Sequence, residues 1–291
     1  MRHLQSEKPG RVWIVADGPK PEGGAEETQA CLAARREAEG GVTWPCQIRR
    51  VYAGQNLGLR MRVETGLDAV FAEETEAIIL EEDCHPTADF LPFCRGMLAR
   101  YRGESRVGGI SGSCFLPRAV PVTTDYFFSR YLHIWGWATW ARAWNDYDRA
   151  GWSWPRRGFR KFFPHANGRE ARYWNRVFQR LVTQKMATWD YPWASWFWKR
   201  GWVAITPSQN LIHNRGFGPG GTHTRDATVE TGVEREGPLH PPYRGPEVIA
   251  PDEQLDQEVF QNHYLRMQGK LGFFSRIRRS FWKRIAGRGP W

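Results

Sequence analysis

Apolar and polar residues alternate in blocks along the first 113 residues, and the blocks follow two different periods. Arg11–Ala16 is a short β-branched run closed by Asp17-Gly18-Pro19, which predicts a strand and its turn. Glu26–Glu39 has helical composition, Gln47–Tyr52 reads as a second strand, and Asn56-Leu57-Gly58 as a turn. Leu59–Ala72 then places Leu59, Val63, Leu67, Val70 and Phe71 on one helical face. Ala77-Ile78-Ile79-Leu80 has the length and branching of a buried strand and stops abruptly at Glu81, Glu82 and Asp83. Pro86 breaks the chain, and Asp89 is placed to N-cap a helix through Phe90, Phe93, Met97 and Leu98. Val107–Ser111 is a strand of small residues. This alternation predicts an α/β sheet, mostly parallel. Ligands of such sheets bind at the carboxyl ends of strands, which is where Asp17 and the acidic triplet fall.

The second half has a different texture. Tyr126–Tyr131 reads as a strand, Ala138–Tyr147 and Arg169–Lys185 as helices, and Trp189–Lys199 as an aromatic-rich helix. Trp202–Thr206 is a strand ended by Pro207. Arg215–Thr224 is too rich in Gly and Pro for a helix and suits a loop that closes over a ligand. Arg225–Leu255, rich in Pro, Gly and Glu, is expected to wrap the surface or to lack order. No internal repeat is evident.

Composition narrows the classes. The net charge of +10 is concentrated at one end: eight of the 41 basic residues, and no acid, lie between Val259 and Trp291. The rest carries 33 basic against 31 acidic residues, so a nucleic-acid-binding body is poorly supported. Five cysteines, without zinc-like pairing, suit a reducing cytoplasm better than a disulfide framework. No stretch reaches the length of a membrane span, and the first residues lack a signal-peptide core. Of the 16 tryptophans, twelve lie between Trp135 and Trp202, which suits either a core or a surface for the C–H faces of sugars. In the tail, Phe273, Phe274, Ile277, Phe281 and Ile285 recur at helical spacing among five Lys/Arg. Such a helix over 270–288 suits peripheral contact with an anionic membrane, or docking on the body.

Three adjacent acids raise one another's pKa unless a cation sits among them. With Asp17, Asn56-Leu57-Gly58, Tyr131–Trp140, Thr188–Trp193 and Gly216–Thr224, they fall in an order that resembles the GT-A glycosyltransferases. The likeness is greatest to the group around the first branching N-acetylglucosaminyltransferase of N-glycan synthesis and its bacterial relatives, and it runs from about Arg11 to Thr224. The resemblance implies an α/β GT-A mixed sheet flanked by helices. It implies a glycosyltransferase domain over 1–225, with a nucleotide-binding half to about 113, then a Pro/Gly-rich extension over 226–265 and the basic tail over 266–291. Asp17 matches a uracil contact, and Arg62 faces the nucleotide. Glu81, Glu82 and Asp83 match the family's acidic metal motif, with Asp83 the ligand of Mn²⁺ or Mg²⁺. Glu82 departs from the family's Asp there. Gly136 and Trp137, with Trp193, fall in the acceptor region, Asp190 matches the catalytic base, and Gly216–His223 matches the loop over the donor, with His223 at the nucleotide-sugar.

The residues carry this chemistry on their own terms. A hard cation held by carboxylate neutralises a diphosphate leaving group, and a second, distant carboxylate takes the acceptor's proton. The expected reaction is inverting transfer from a nucleotide-sugar, a UDP-sugar foremost, to a carbohydrate or lipid-linked acceptor in the cytoplasm or at the inner face of the membrane. One departure stands out. Only ten residues precede the Arg11 strand, so the fold's first strand is expected to be missing. A non-enzymatic carbohydrate-binding or scaffolding relative is therefore the alternative. His133, His213 and His223 are open between ligand and packing roles, as Arg60 and Arg62 are between a solvated face and diphosphate contact. Cys84 is a candidate thiol beside the acids.

Overall fold

The computed structural model describes residues 7–149, 153–155, 158–164, 166–184, 186, 188–216 and 235–266. Strand β1 (Arg11–Ala16) lies parallel to β2 (Gln47–Tyr52), joined by helix α1 (Gly24–Gly40). Residues of α2 (Gly58–Phe71) connect this pair to β3 (Glu76–Ile79). The face of α2 toward the core carries Leu67, Val70 and Phe71, as its spacing predicts, whereas Leu59 in the first turn is half exposed because it precedes the packed stretch.

A five-stranded mixed sheet forms the centre, flanked by helices. It includes β5 (Val107–Ser111), β6 (Tyr126–Ser129), β7 (Trp137–Trp140) and β8 (Val203–Pro207), in the order β3-β7-β5-β8-β6. Within it only β5 and β8 are parallel neighbours. The expectation of a mostly parallel sheet is thus corrected, because β7, from the second half, slots antiparallel between β3 and β5. Ala138–Trp140 had read as the start of a helix running to Tyr147, yet they belong to the strand Trp137–Trp140. All four residues are buried, so no alternation betrays the strand, and a short apolar run is ambiguous between the two periods. The helix that follows, α4, is only Ala141–Trp144; α3 is Phe90–Arg100 and buries the predicted Phe90, Phe93, Met97 and Leu98.

The first strand pair and the central sheet are separate among the described residues. Among the described residues β1 pairs only with β2, and β3 only with β7. Side chains tie the two units at this seam: Arg11 Nη1 and Trp13 Nε1 reach Glu74 Oε1 at 2.5 and 2.9 Å, and Arg49 pairs with Glu73 at 3.0 Å. Both strands have interior composition yet are only partly buried, unlike β5.

Aromatic packing holds the second half. Helices α5 (Gly158–Phe162), α6 (Gly168–Thr183) and α7 (Asp190–Arg200) bury Phe159, Trp174, Phe178, Trp193, Phe197 and Trp198 in one cluster with β7. Residues 235–252 cross the surface without helix or strand, as expected. They are held by Arg235, whose guanidinium donates to the Ser208, Pro117, Arg118 and Val120 carbonyls. Asp89 stands at the N-cap of α3 as expected, but its side chain makes no capping hydrogen bond. Its Oδ2 accepts the Leu239 N–H at 3.1 Å and Oδ1 lies 3.3 Å from His240 Nδ1, so it fastens this crossing segment instead. The chain then forms α8 (Glu253–Val259) and one π-helical turn, Phe260–Tyr264, neither legible in the sequence.

A buried ion network locks α8 to the sheet. Arg130 Nε and backbone N–H donate to Asp256 Oδ2 at 3.1 and 2.9 Å, Ser129 Oγ donates to Asp256 Oδ1, and Arg130 also pairs with Glu253 and, at 3.5 Å, with Glu170. Burial pushes Asp256 up to about 6 against the pull of Arg130. Arg130→Met strands two buried carboxylates and should cost about 3–5 kcal/mol in urea unfolding at neutral pH. A loss under about 1 kcal/mol would show that the network does not anchor the segment.

Candidate functional site

The turn after β3 gathers the acids. The Cys84 N–H donates to the Glu81 carbonyl at 3.0 Å, closing a turn over Glu82 and Asp83. Short strand β4 (Cys84–Pro86) then pairs antiparallel with β9 (Ile212–Asn214). That pairing carries the next residues back over the turn, with the Arg215 N–H on the Asp83 carbonyl at 2.8 Å. Gly216 presses so close that a Cβ there would collide with Asp83 Oδ2. A side chain here would push the Asp83 carboxylate aside.

Asp190 opens α7, with Pro192 in the first turn as the sequence predicts, where no amide donor is lost. Thr188 Oγ1 donates to its Oδ1. Asp190 lies near enough for its charge to act on Glu81. Glu81 is pushed up to about 7, first by burial and then by the charges of Asp83, Glu82 and Asp190. Carboxylates from two distant stretches therefore share one field. Glu82 is exposed, whereas Glu81, Asp83 and Asp190 are half-buried.

Asp17 and Arg62 form a second group at the ends of β1 and β2. Asp17 Oδ1 accepts the Gly18 and Leu57 N–H groups at 2.9 and 2.8 Å, and Oδ2 accepts Gly58 N–H and Asn56 Nδ2 at 2.9 and 3.1 Å. The Asp17 carboxylate thus pins the turn that starts α2. Arg35 Nη2 donates to the Asp17 and Ala53 carbonyls, at 2.8 and 2.7 Å. Arg62 does not sit on a solvated face. It is 8% exposed, and its Nε has no hydrogen-bond partner. Burial lowers its pKa, Asp17 raises it and Arg35 lowers it again. A buried guanidinium with spare donors calls for an anion.

Other sequence candidates settle into packing roles. Trp137 and Trp193 are fully buried, packed on each other at 6.2 Å and on Trp189 and Trp144, respectively, so neither indole offers a face to an acceptor. Gly136, at φ +60°, lies against Ile212 and permits the tight entry to β7. Burial and Asp83 push the Cys84 thiol up to about 12, so it stays protonated and is no reactive thiol. His133 is buried and held neutral, its pKa lowered by burial and by His263. His213 lies 3.6 Å from Glu236. His223, the rest of the Gly216–His223 loop, and the 270–288 helix lie outside the described residues.

Among the described residues no three His, Cys, Asp or Glu side chains are gathered to hold a metal. The donors that do converge are hard carboxylate oxygens. One or two of these suit Mg²⁺ or Mn²⁺ whose shell is completed by phosphate and water, and do not suit a closed protein cage. No helix of the described residues is long and apolar enough to cross a membrane. Three contributions escaped sequence reasoning: the close approach of Gly216, the carbonyl clamp of Arg35, and Trp135. Trp135 had a signal, its place beside the Gly-Trp pair. No family model matches the chain, and no curated protein matches it either.

The raised pKa of Glu81 fixes the sign of a pH effect. The folded state holds the Glu81 proton up to about 7, while the unfolded chain releases it at the usual value of about 4.3. Between those values the folded state binds more protons, so this group's contribution to stability falls as pH rises. Glu81→Gln should therefore melt at or above wild type at pH 8 and lose the part of the pH 5-to-8 decline that Glu81 causes. Parallel melting curves across pH 5–8 for both proteins would show that Glu81 ionises normally.

Proposed function

We propose that the chain is a GT-A-type glycosyltransferase, using Mn²⁺ or Mg²⁺, that moves a sugar with inversion from a nucleotide-sugar, a UDP-sugar foremost, to a glycan or lipid-linked acceptor. The observation that carries the reading is that Glu81, at the turn after β3, feels the charge of Asp190 as well as those of Asp83 and Glu82, two carboxylate sources more than a hundred residues apart. The charges acting on Glu81 are other acids, which is costly for a fold and useful for a cation. A divalent ion there, held by Asp83 with Glu81 beside it, supplies charge neutralisation for a diphosphate leaving group. Arg62 offers buried donors to a phosphate or nucleotide oxygen. Asp190, in the first turn of α7, receives the proton of the acceptor hydroxyl. The basic and aromatic residues of 270–288 suit contact with an anionic membrane, where a lipid-linked acceptor would lie.

One observation favours the non-enzymatic alternative. The Asp17 carboxylate already takes four hydrogen bonds from its own chain and has little capacity left for a uracil ring.

Thermal shift and product assay separate the readings. UDP with Mn²⁺ should raise the wild-type melting temperature, and Asp83→Ala should abolish the metal-dependent part. An undiminished shift in that variant would move the metal elsewhere, and no shift in wild type would sink the nucleotide reading. Asp190→Asn keeps an adequate helix start, so it should melt within a few degrees of wild type and bind UDP normally. Its turnover of UDP-sugar should fall about 10²–10⁴-fold. Turnover near wild type would place the base elsewhere.

A further inference from the structure

The segment anchored by Arg130 ends in a π-helical turn whose side chains do not simply fill the core. Single π-helical turns recur at functional sites, because the extra residue redirects side chains at a cost in helix geometry. Here the turn Phe260–Tyr264 lays the His263 ring on Phe115, with centroids 3.8 Å apart and planes 14° apart. Tyr264 follows at 4.9 Å, and Trp135 stands edge-on to His263 at 6.5 Å. His133 sits beneath, 6.1 Å from both His263 and Tyr264.

Two observations mark this cluster as more than packing. Trp135, His263 and Tyr264 each remain partly exposed, whereas Trp137, Trp193 and Trp198 are sealed. His133 is 5% exposed, yet its Nε2 has no hydrogen-bond partner. A buried imidazole nitrogen without a partner is a vacancy for a hydroxyl or a water. The cluster also adjoins the acidic site. Trp135 precedes Gly136 and Trp137, and Trp137 stacks at 5.8 Å on Trp189, the residue before Asp190. The Asp190 charge in turn reaches Tyr264.

We propose that Trp135, His263 and Tyr264 form a carbohydrate-binding wall beside Asp190, an acceptor subsite completed by the C-terminal π-helical turn. The C–H face of a pyranose packs on the partly exposed edges of these rings. The occupant is a neutral sugar ring: the apolar faces favour C–H contact, and the neutral histidine offers no charge for a phosphate. This deepens the glycosyltransferase reading and rests on it for the meaning of "acceptor", but sugar binding can be read without turnover.

The test is saturation-transfer NMR on the full chain with UDP and Mn²⁺ present. The probes are methyl β-glycosides of glucose, galactose, mannose and N-acetylglucosamine, together with chitobiose. Wild type should bind at least one, with the strongest saturation on ring C–H protons. His263→Ala and Trp135→Leu should weaken that binding at least tenfold. His263→Phe, which keeps a ring over Phe115, should stay within about threefold and serves as the folding control. The thermal shift with UDP and Mn²⁺ should be the same in all of them. Binding unchanged in both Trp135→Leu and His263→Ala, or no probe bound by wild type, overturns the subsite. Glycoside binding that the variants lose in a protein with no response to UDP would leave the subsite standing and sink the nucleotide reading alone.

Discussion

Trp137 is the joint on which the site depends. It pairs in register with Ile79, the last residue of β3, so it fixes where the strand ends and the acidic turn begins. Its indole stacks on Trp189 and packs on Trp193, which fixes the first turn of α7 and with it Asp190. One fully buried side chain therefore sets the separation between two carboxylate sources that the chain keeps far apart. A large ring in a close-packed interior has almost no freedom to shift, which gives the separation its rigidity. The tryptophans around it, which composition alone left between core and sugar surface, act here mainly as this frame.

The charges tell of a fold that spends stability at one place and recovers it at another. Glu81, Asp83 and Asp190 crowd together, and Arg62 is buried with unused donors, so acids and cation are separated where pairing them would have stabilised the chain. Asp256 and Arg130, equally buried, are joined directly and share the pair with Ser129 and Glu170. A raised carboxyl among other acids and a directly paired buried ion are two different electrostatic settings in one fold.

The anchored segment gives the C-terminal part of the chain a role at the site. Its π-helical turn delivers His263 and Tyr264 to the rim formed by Trp135, so residues near the C-terminal end of the described chain pack beside residues of the central sheet. Among the described residues no strand pairing joins β1 to β3, and the group of Asp17 and Arg62 lies on the less buried side of this seam.

The sequence by itself determined most elements of the first 113 residues, the acidic end of β3, and the helix start at Asp190. These follow from local rules: side-chain period, turn chemistry and the tolerance of proline in a first helical turn. It could not determine that Trp137–Trp140 is a strand, because a fully buried apolar run shows no period. Nor could it show that Asp89 fastens a distant segment in place of capping its own helix, since a carboxylate's partner is chosen by what packs beside it. That Trp137 and Trp193 are frame while Trp135 is rim was likewise decided in three dimensions. The three are chemically identical, and only the neighbours that cover or leave open their faces tell them apart.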